Sequence, residues 1–136
     1  MYTSETKLRV RYAETDRMGY AYYGNFAQYF EVGRVEALRQ LDMSYKEMED
    51  TGILLPVLEF SIKYFKPAFY DDELTIRTIL TELPGTKMKF TTETYNENHN
   101  LLNKGEVVLV FVDNKTRKPC AAPKGFLEKL TPFFNQ

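Results

Sequence analysis

The sequence of 136 residues holds one cysteine, one histidine and no tryptophan, and each scarcity removes a class of chemistry. A lone thiol, Cys120, permits no internal disulfide and fits a reducing compartment. Zinc sites draw several ligands from His and Cys, and one of each makes no such cluster. Triads of Ser or Cys with His need an imidazole as base. The single imidazole, His99, lies in Asn96-Glu97-Asn98-His99-Asn100, where the asparagines read as a hairpin turn. No Walker or dinucleotide glycine pattern occurs, so the sequence calls for no metal and no cofactor. Long apolar runs are missing too. The longest, Val107 to Val112, is strand-sized and far short of the ~20 residues of a membrane helix. Met1 to Lys7 lacks the apolar centre of a signal peptide. Basic and acidic residues number 18 and 19, for a net charge of −1, without the basic excess of a nucleic-acid binder. The expectation is a cytoplasmic protein with neither a membrane nor a nucleic acid as partner.

What the chain does have is aromatic bulk, ten Phe and ten Tyr, enough for a ring-rich core or an aromatic-lined pocket. Its length suits one domain over residues 1–136. From Glu5 to Tyr12 the residues Thr6, Leu8, Val10 and Tyr12 share one parity and charged residues the other, the period of a half-wet strand. From Asn25 to Leu41 the period becomes helical, with Phe26, Tyr29, Phe30, Gly33, Ala37, Leu38 and Leu41 on one side. Gly33 inside that stripe points to close approach of another backbone, since Gly otherwise weakens a helix. Ser44 and Glu47 form a capping-box pattern for a short helix to about Asp50, with Gly52 as its stop.

The remainder alternates as strands: Leu58 to Tyr64, Glu73 to Leu80, Lys87 to Thr91, and Leu101 to Val112. The last ends in a nearly continuous apolar run, expected of a strand covered on both faces. Pro123 to Leu130 reads as a terminal helix. One strand, one long helix and then four strands argue for an α+β fold rather than alternating βαβ units. The simplest burial lays the helix across the concave face of a curled five-stranded sheet.

Candidate chemistry concentrates between the first strand and the long helix. Asp16 lies there, next to a helix start whose unpaired N–H groups and positive dipole end can hold a developing oxyanion. A carboxylate in that place activates water or attacks a carbonyl itself. Gly19 and Gly24 allow backbone to approach a ligand. Position alone leaves open a second reading, in which Asp16 is a turn or capping residue.

The run Tyr12-Ala13-Glu14-Thr15-Asp16-Arg17-Met18-Gly19-Tyr20-Ala21-Tyr22-Tyr23-Gly24-Asn25-Phe26, with Tyr29-Phe30-Glu31 and Arg34, resembles the N-terminal signature of the 4-hydroxybenzoyl-CoA thioesterase-like family. Tyr64-Phe65-Lys66-Pro67-Ala68 with Asp71-Asp72-Glu73-Leu74 is similar to that family's segment between two sheet strands. The resemblance implies the hotdog fold, a curved antiparallel five-stranded sheet wrapped around one long central helix. It implies hydrolysis of an acyl-CoA to CoA and a free acid, with Asp16 as nucleophile or as base for water. It gives the Tyr23 N–H the task of polarising the thioester carbonyl and makes Asn25 the motif's asparagine. Many bacterial members carry His where this chain has Tyr23. A phenol is no base near neutral pH, but the backbone donor survives the change.

The family works as dimers or tetramers with acyl-CoA at a subunit interface, so the implied partners are acyl-CoA and further copies of the chain. Lys63, Lys66 and Lys89 are the bases expected near the CoA phosphates, and Glu59 is a second carboxylate expected to line the pocket. Two other functions stay open on the same fold: hydrolysis of acyl groups from acyl carrier protein, and acyl-CoA binding without catalysis. Tyr20, Tyr22, Tyr23 and Phe26 fit an aromatic or medium-chain acyl group, or packing against a neighbouring subunit.

Overall fold

The computed structural model describes residues 1–134. Strand β1 covers Tyr2–Arg9, helix α1 Asn25–Arg39 and helix α2 Tyr45–Asp50. They are followed by β2 (Ile53–Leu54), β3 (Val57–Tyr64), β4 (Glu73–Leu80), β5 (Lys87–Tyr95), β6 (Leu101–Val110), β7 (Val112–Asp113) and helix α3 (Lys124–Leu130). Five strands form one antiparallel sheet in the order β1-β4-β5-β6-β3, and β2 pairs with β7 in a separate two-stranded ribbon. Among the described residues no helix is long and apolar enough to cross a membrane.

The first strand begins and ends three residues earlier than its alternation suggests. Tyr12 belongs to a short 3-10 turn, Tyr12–Glu14, and is 78% exposed. Its shared parity with Val10 is incidental. The inward set of β1, with Tyr2 and Ser4 buried, otherwise follows the predicted phase. Strand β6 keeps its alternation to the end: Val107 and Leu109 are buried while Val108 and Val110 are half-exposed. Its apolar run is therefore covered on one face only within the chain. The short ribbon had no sequence signal, because two residues per strand carry no period.

Helix α1 touches both edges of the sheet. On one side the Tyr2 hydroxyl of β1 donates to the Ala37 carbonyl at 2.6 Å. On the other, Phe30 packs on Phe60 of β3 with centroids 5.7 Å apart, and Phe26 on Tyr64 at 5.6 Å. Edge strands of a flat five-stranded sheet stand about 19 Å apart at the usual spacing, whereas a helix with its side chains is only about 10–12 Å across. One helix meeting both edges requires the sheet to curl round it.

Glycine makes this closeness possible at two points. A Cβ on Gly33 would lie 2.6 Å from Ile76 Cγ2 and 2.7 Å from Thr78 Oγ1, so α1 rests directly on β4. A Cβ on Gly105 of β6 would lie 2.5 Å from the Ser61 carbonyl oxygen and 2.6 Å from Phe30 Cε2. Beneath the helix, Phe30, Leu74, Ile76, Met88, Phe90 and Leu109 are almost wholly buried.

The outer face of the sheet is wet and charged. One transverse row pairs Glu5 with Arg77, Arg77 with Glu93, Glu93 with Lys104 and Lys104 with Lys63. Glu93 is shared between Arg77 at 3.8 Å and Lys104 at 3.9 Å. The Glu93 side chain is 15% exposed and its two cations 40 and 52%, so the row is solvated mainly at its positive partners.

Gly105→Ala drives a methyl into a backbone carbonyl that no rotamer change can clear. The variant is expected to lose about 1–3 kcal/mol in urea unfolding, the usual range for overpacking. Gly125 in α3 has nothing within 4 Å of a Cβ, and Gly125→Ala is the control, expected to gain about 0.5–1 kcal/mol. Equal midpoints for the two variants would contradict this account of the helix–sheet contact.

Candidate active site

Between β1 and α1 the chain folds back on itself as a miniature ladder. Thr15 bridges Ala21, the Asp16 N–H donates to the Tyr20 carbonyl at 2.8 Å, and the Tyr22 N–H donates to the Glu14 carbonyl at 2.7 Å. The turn between the arms is Arg17-Met18-Gly19, with Gly19 at φ +82°, a conformation that favours glycine. The outgoing arm is pinned to the segment after β3: Tyr20 bridges Phe69, and the Ala21 N–H donates to the Ala68 carbonyl at 2.7 Å.

A groove of about 300 Å³ opens between these two segments and the start of α1. Asp16, Tyr23 and Lys66 line it, together with the apolar surfaces of Met18, Ala21, Phe26, Tyr64, Phe65 and Ala68. One carboxylate and one cation set into apolar and aromatic walls is the composition of a small-molecule site. A second groove of about 290 Å³ between α2 and α3 is lined mainly by Met43, Met48, Phe126 and flanking residues, and none of the predicted site residues reaches it.

Asp16 is half-buried. Its Oδ1 accepts from the N–H of Met18 at 2.9 Å and of Tyr20 at 3.2 Å, as in an Asx turn. No hydrogen bond falls on Oδ2 among the described residues. At the start of α1, the Asn25 and Phe26 N–H groups donate to the Tyr22 and Tyr23 carbonyls. The Tyr23 and Gly24 N–H groups have no acceptor among the described residues. Two unpaired donors at the positive end of a 15-residue helix suit an oxygen that gains negative charge. The Tyr23 carbonyl is itself held by the Tyr64 hydroxyl at 2.9 Å. Burial, and then the neighbouring Tyr23, push the Tyr64 phenol up, so it stays a neutral donor.

Asn25 faces away from catalysis in one respect: its Nδ2 donates to the Glu14 carbonyl at 2.7 Å, tying the helix start to the ladder. Gly24 caps α1, where a Cβ would stand 2.8 Å from the Tyr22 ring. The other predicted residues lie elsewhere on this chain. Glu59 and Lys89 line a different cavity beside Pro84, and Lys89 pairs with Glu106 at 3.5 Å. Lys63 is on the outer face of the sheet beside Lys104, its Nζ 5.8 Å from the Phe65 ring centroid. His99, at φ 61°, sits exposed in its turn as expected.

Three residues of this region had escaped the sequence reading. Tyr64 and Phe65 belonged to a strand end and to the quoted inter-strand segment, without a place in the site. Glu14 lay inside the quoted motif without a role of its own, although its three-residue spacing from Arg11 is that of an ion pair on one turn. Glu14 is buried, and its carboxylate accepts from the Arg11 N–H at 2.8 Å, the Arg11 guanidinium at 3.0 Å and the Tyr29 hydroxyl at 2.9 Å. Burial pushes the Glu14 pKa up, but the bonds from Arg11 and Tyr29 outweigh it and hold the carboxyl below its ordinary value. Burial, with Glu14 behind it, pushes the Tyr29 phenol up.

Comparison with known proteins identifies the family. The sequence pattern of the thioesterase-like superfamily matches residues 10–130. The chain is 34% identical over 120 residues to the acyl-CoA thioester hydrolase YbgC of Escherichia coli, covering 88% of this chain and 90% of that protein. It is 31% identical over 118 residues to the acyl-CoA thioesterase YbgC of Haemophilus influenzae, covering 86% of each. Among solved structures, the DHNA-CoA thioesterase of Staphylococcus aureus superimposes with a TM-score of 0.93 at 31% identity, covering 98% of this chain and 92% of that one. The chain belongs to the thioesterase-like superfamily. It is a thioester hydrolase with the hotdog fold.

Because Glu14 is held below its ordinary value, its stabilisation is complete above the unfolded-state pKa and disappears as pH falls through the lower folded value. Urea unfolding of wild type and Glu14→Gln is therefore expected to differ most above about pH 5 and to converge in more acid solution. A gap that widens on acidification would contradict the assignment of the ion pair.

Proposed function

We propose that the protein hydrolyses an acyl-CoA thioester in the Asp16 groove. The observation that supports this reading is that Asp16 and Tyr23, whose N–H has no acceptor among the described residues, line one groove at the start of α1. The substrate carbonyl oxygen lies against the Tyr23 N–H, with the neighbouring Gly24 N–H beside it, and both bonds strengthen as the oxygen becomes an oxyanion. Asp16 either attacks the carbonyl carbon or takes a proton from the water that does. In both routes the C–S bond breaks, the sulfur leaves as the CoA thiolate and takes up a proton, and water supplies the acid's new oxygen. Gly19 lets the ladder turn beside the ligand, Gly24 leaves room at the helix start, and Asn25 keeps that start in place.

Lys66 at the groove is the first cation within reach of a CoA phosphate. Lys63 extends the same charge along the outer face next to Lys104. Glu59 and Lys89 belong to the site only through a second copy, since on one chain they line another cavity. Relatives named acyl-CoA thioesterases support CoA as the carrier. The one cysteine, Cys120, is a free thiol and fits a cytoplasmic setting.

The working unit is at least a homodimer joined along β3. This strand is a sheet edge, and its apolar residues Val57, Leu58, Phe60 and Tyr64 are 52, 50, 40 and 41% exposed. An apolar edge with free backbone donors and acceptors is a template for pairing with another strand, and a twofold partner offers the same strand in return. Tyr64 ends β3 and also lines the groove, so a partner strand there would wall the site.

Two measurements test these readings. In a panel of acyl-CoAs followed by release of the free thiol, Asp16→Asn is expected to lose roughly 10² or more in kcat, the scale of a lost acid–base group, while still binding acyl-CoA. Turnover by that variant at the wild-type rate rejects the mechanism, and a silent wild-type panel favours a binding module. In sedimentation the wild type is expected as a dimer or tetramer, and Phe60→Lys as a dissociated, inactive monomer. A monomeric wild type with full activity would refute the shared site.

A further inference from the structure

Glu14 does not line the groove, yet both arms of the Asp16 ladder end on it. The incoming arm runs from Glu14 through Thr15 to Asp16, and the outgoing arm returns to the Glu14 carbonyl at Tyr22 before leading into Tyr23, Gly24 and α1. The same carbonyl accepts from Asn25 Nδ2. The carboxylate joins the ladder to two further places: Arg11, two residues past the end of β1, and the buried hydroxyl of Tyr29, one turn into the helix. A single residue thus fixes the ladder to the segment leaving β1 and to the helix ahead.

The ionised Glu14 carboxyl adds stability, but a charge is not the only way to fill this point. The Glu14 side chain is 10% exposed, and its counter-ion, Arg11, is 78% exposed. Removing a carboxylate from water is costly, while attraction to an exposed guanidinium is screened. An uncharged, well-packed pair of the same shape is often as stable. An ionised acceptor does make shorter and better-oriented bonds than a neutral one. That gain is one of geometry, and geometry matters where a shift of about 1 Å costs roughly 10²-fold in rate.

We propose that Glu14 is a positioning residue for thioester hydrolysis. Clamped between Arg11 and Tyr29, it sets the placement of the Asp16 arm relative to the Tyr23 and Gly24 N–H groups without touching substrate. The inference rests on the reading of Asp16 as the catalytic carboxylate.

Steady-state kinetics on the acyl-CoA that wild type turns over fastest, run well below the unfolding temperature, tests it with Glu14→Gln, Tyr29→Phe, their double variant and Asp16→Asn. Glu14→Gln and Tyr29→Phe are each expected to lose about tenfold in kcat with KM within about threefold of wild type, a split that mere loosening of the fold would not produce. The double variant should be little worse than the poorer single one, because both changes loosen the hold on one side chain: the amide loses the charge and the acceptor facing the Arg11 guanidinium, and the phenyl loses the hydroxyl donor. A Glu14→Gln kcat within about twofold of wild type, a rise confined to KM, or multiplying losses in the double variant each overturn the positioning role. If Glu14→Gln does not fold, Tyr29→Phe alone decides on the same limits, since it removes one hydroxyl and keeps the ring. Asp16→Asn separates the two failures. An inactive Asp16→Asn beside a fully active Glu14→Gln sinks only the role of Glu14, whereas an active Asp16→Asn removes the catalytic reading beneath it.

Discussion

The fold depends on how closely helix α1 lies against the sheet. Gly33 over Ile76 and Thr78, and Gly105 beneath Phe30, remove the atoms that would hold the two layers apart. With the layers in contact, large rings at Phe26 and Phe30 reach the edge strand β3, and the sheet must curl to meet them. The start of α1 is thereby delivered to the end of β3. The groove is therefore a consequence of packing: it opens where the curled sheet, the helix start and the returning loop come together.

Most of this architecture was legible because it is periodic. The stripe from Phe26 to Leu38, the alternation of Leu74, Ile76, Thr78 and Leu80, and the Ser44–Glu47 cap each report a local geometry that the chain follows. Legibility failed where period and contact diverge. Tyr12 kept the parity of β1 after the strand had ended, and β2 and β7 were too short to have a parity at all. The outer valines of β6 looked doubly covered, because an apolar run does not say what lies over it.

The site was legible in its linear motif and illegible in its tertiary partners. Asp16, Tyr23, Gly24 and Asn25 are neighbours in sequence as well as in space. Tyr64 comes to Tyr23 from 41 residues away, and Tyr29 comes to Glu14 from 15. Neither pairing leaves a local trace. Lysines were the least readable, since a strand places every second residue on the far face. Lys66 falls just beyond β3 and reaches the groove, while Lys63, within the strand, turns outward.

Tyr64 belongs to two systems at once. Its backbone is the end of the unpaired edge, and its hydroxyl steadies the carbonyl of the residue that offers a free amide to the groove. On the proposed mechanism this hydrogen bond links the order of the edge to that of the amide, and by thermodynamic reciprocity a ligand held by the amide would tighten the edge in equal measure. In the proposed dimer, with substrate held as proposed, assembly and substrate affinity become two readings of one free-energy coupling, so dilution weakens substrate capture and substrate resists dissociation.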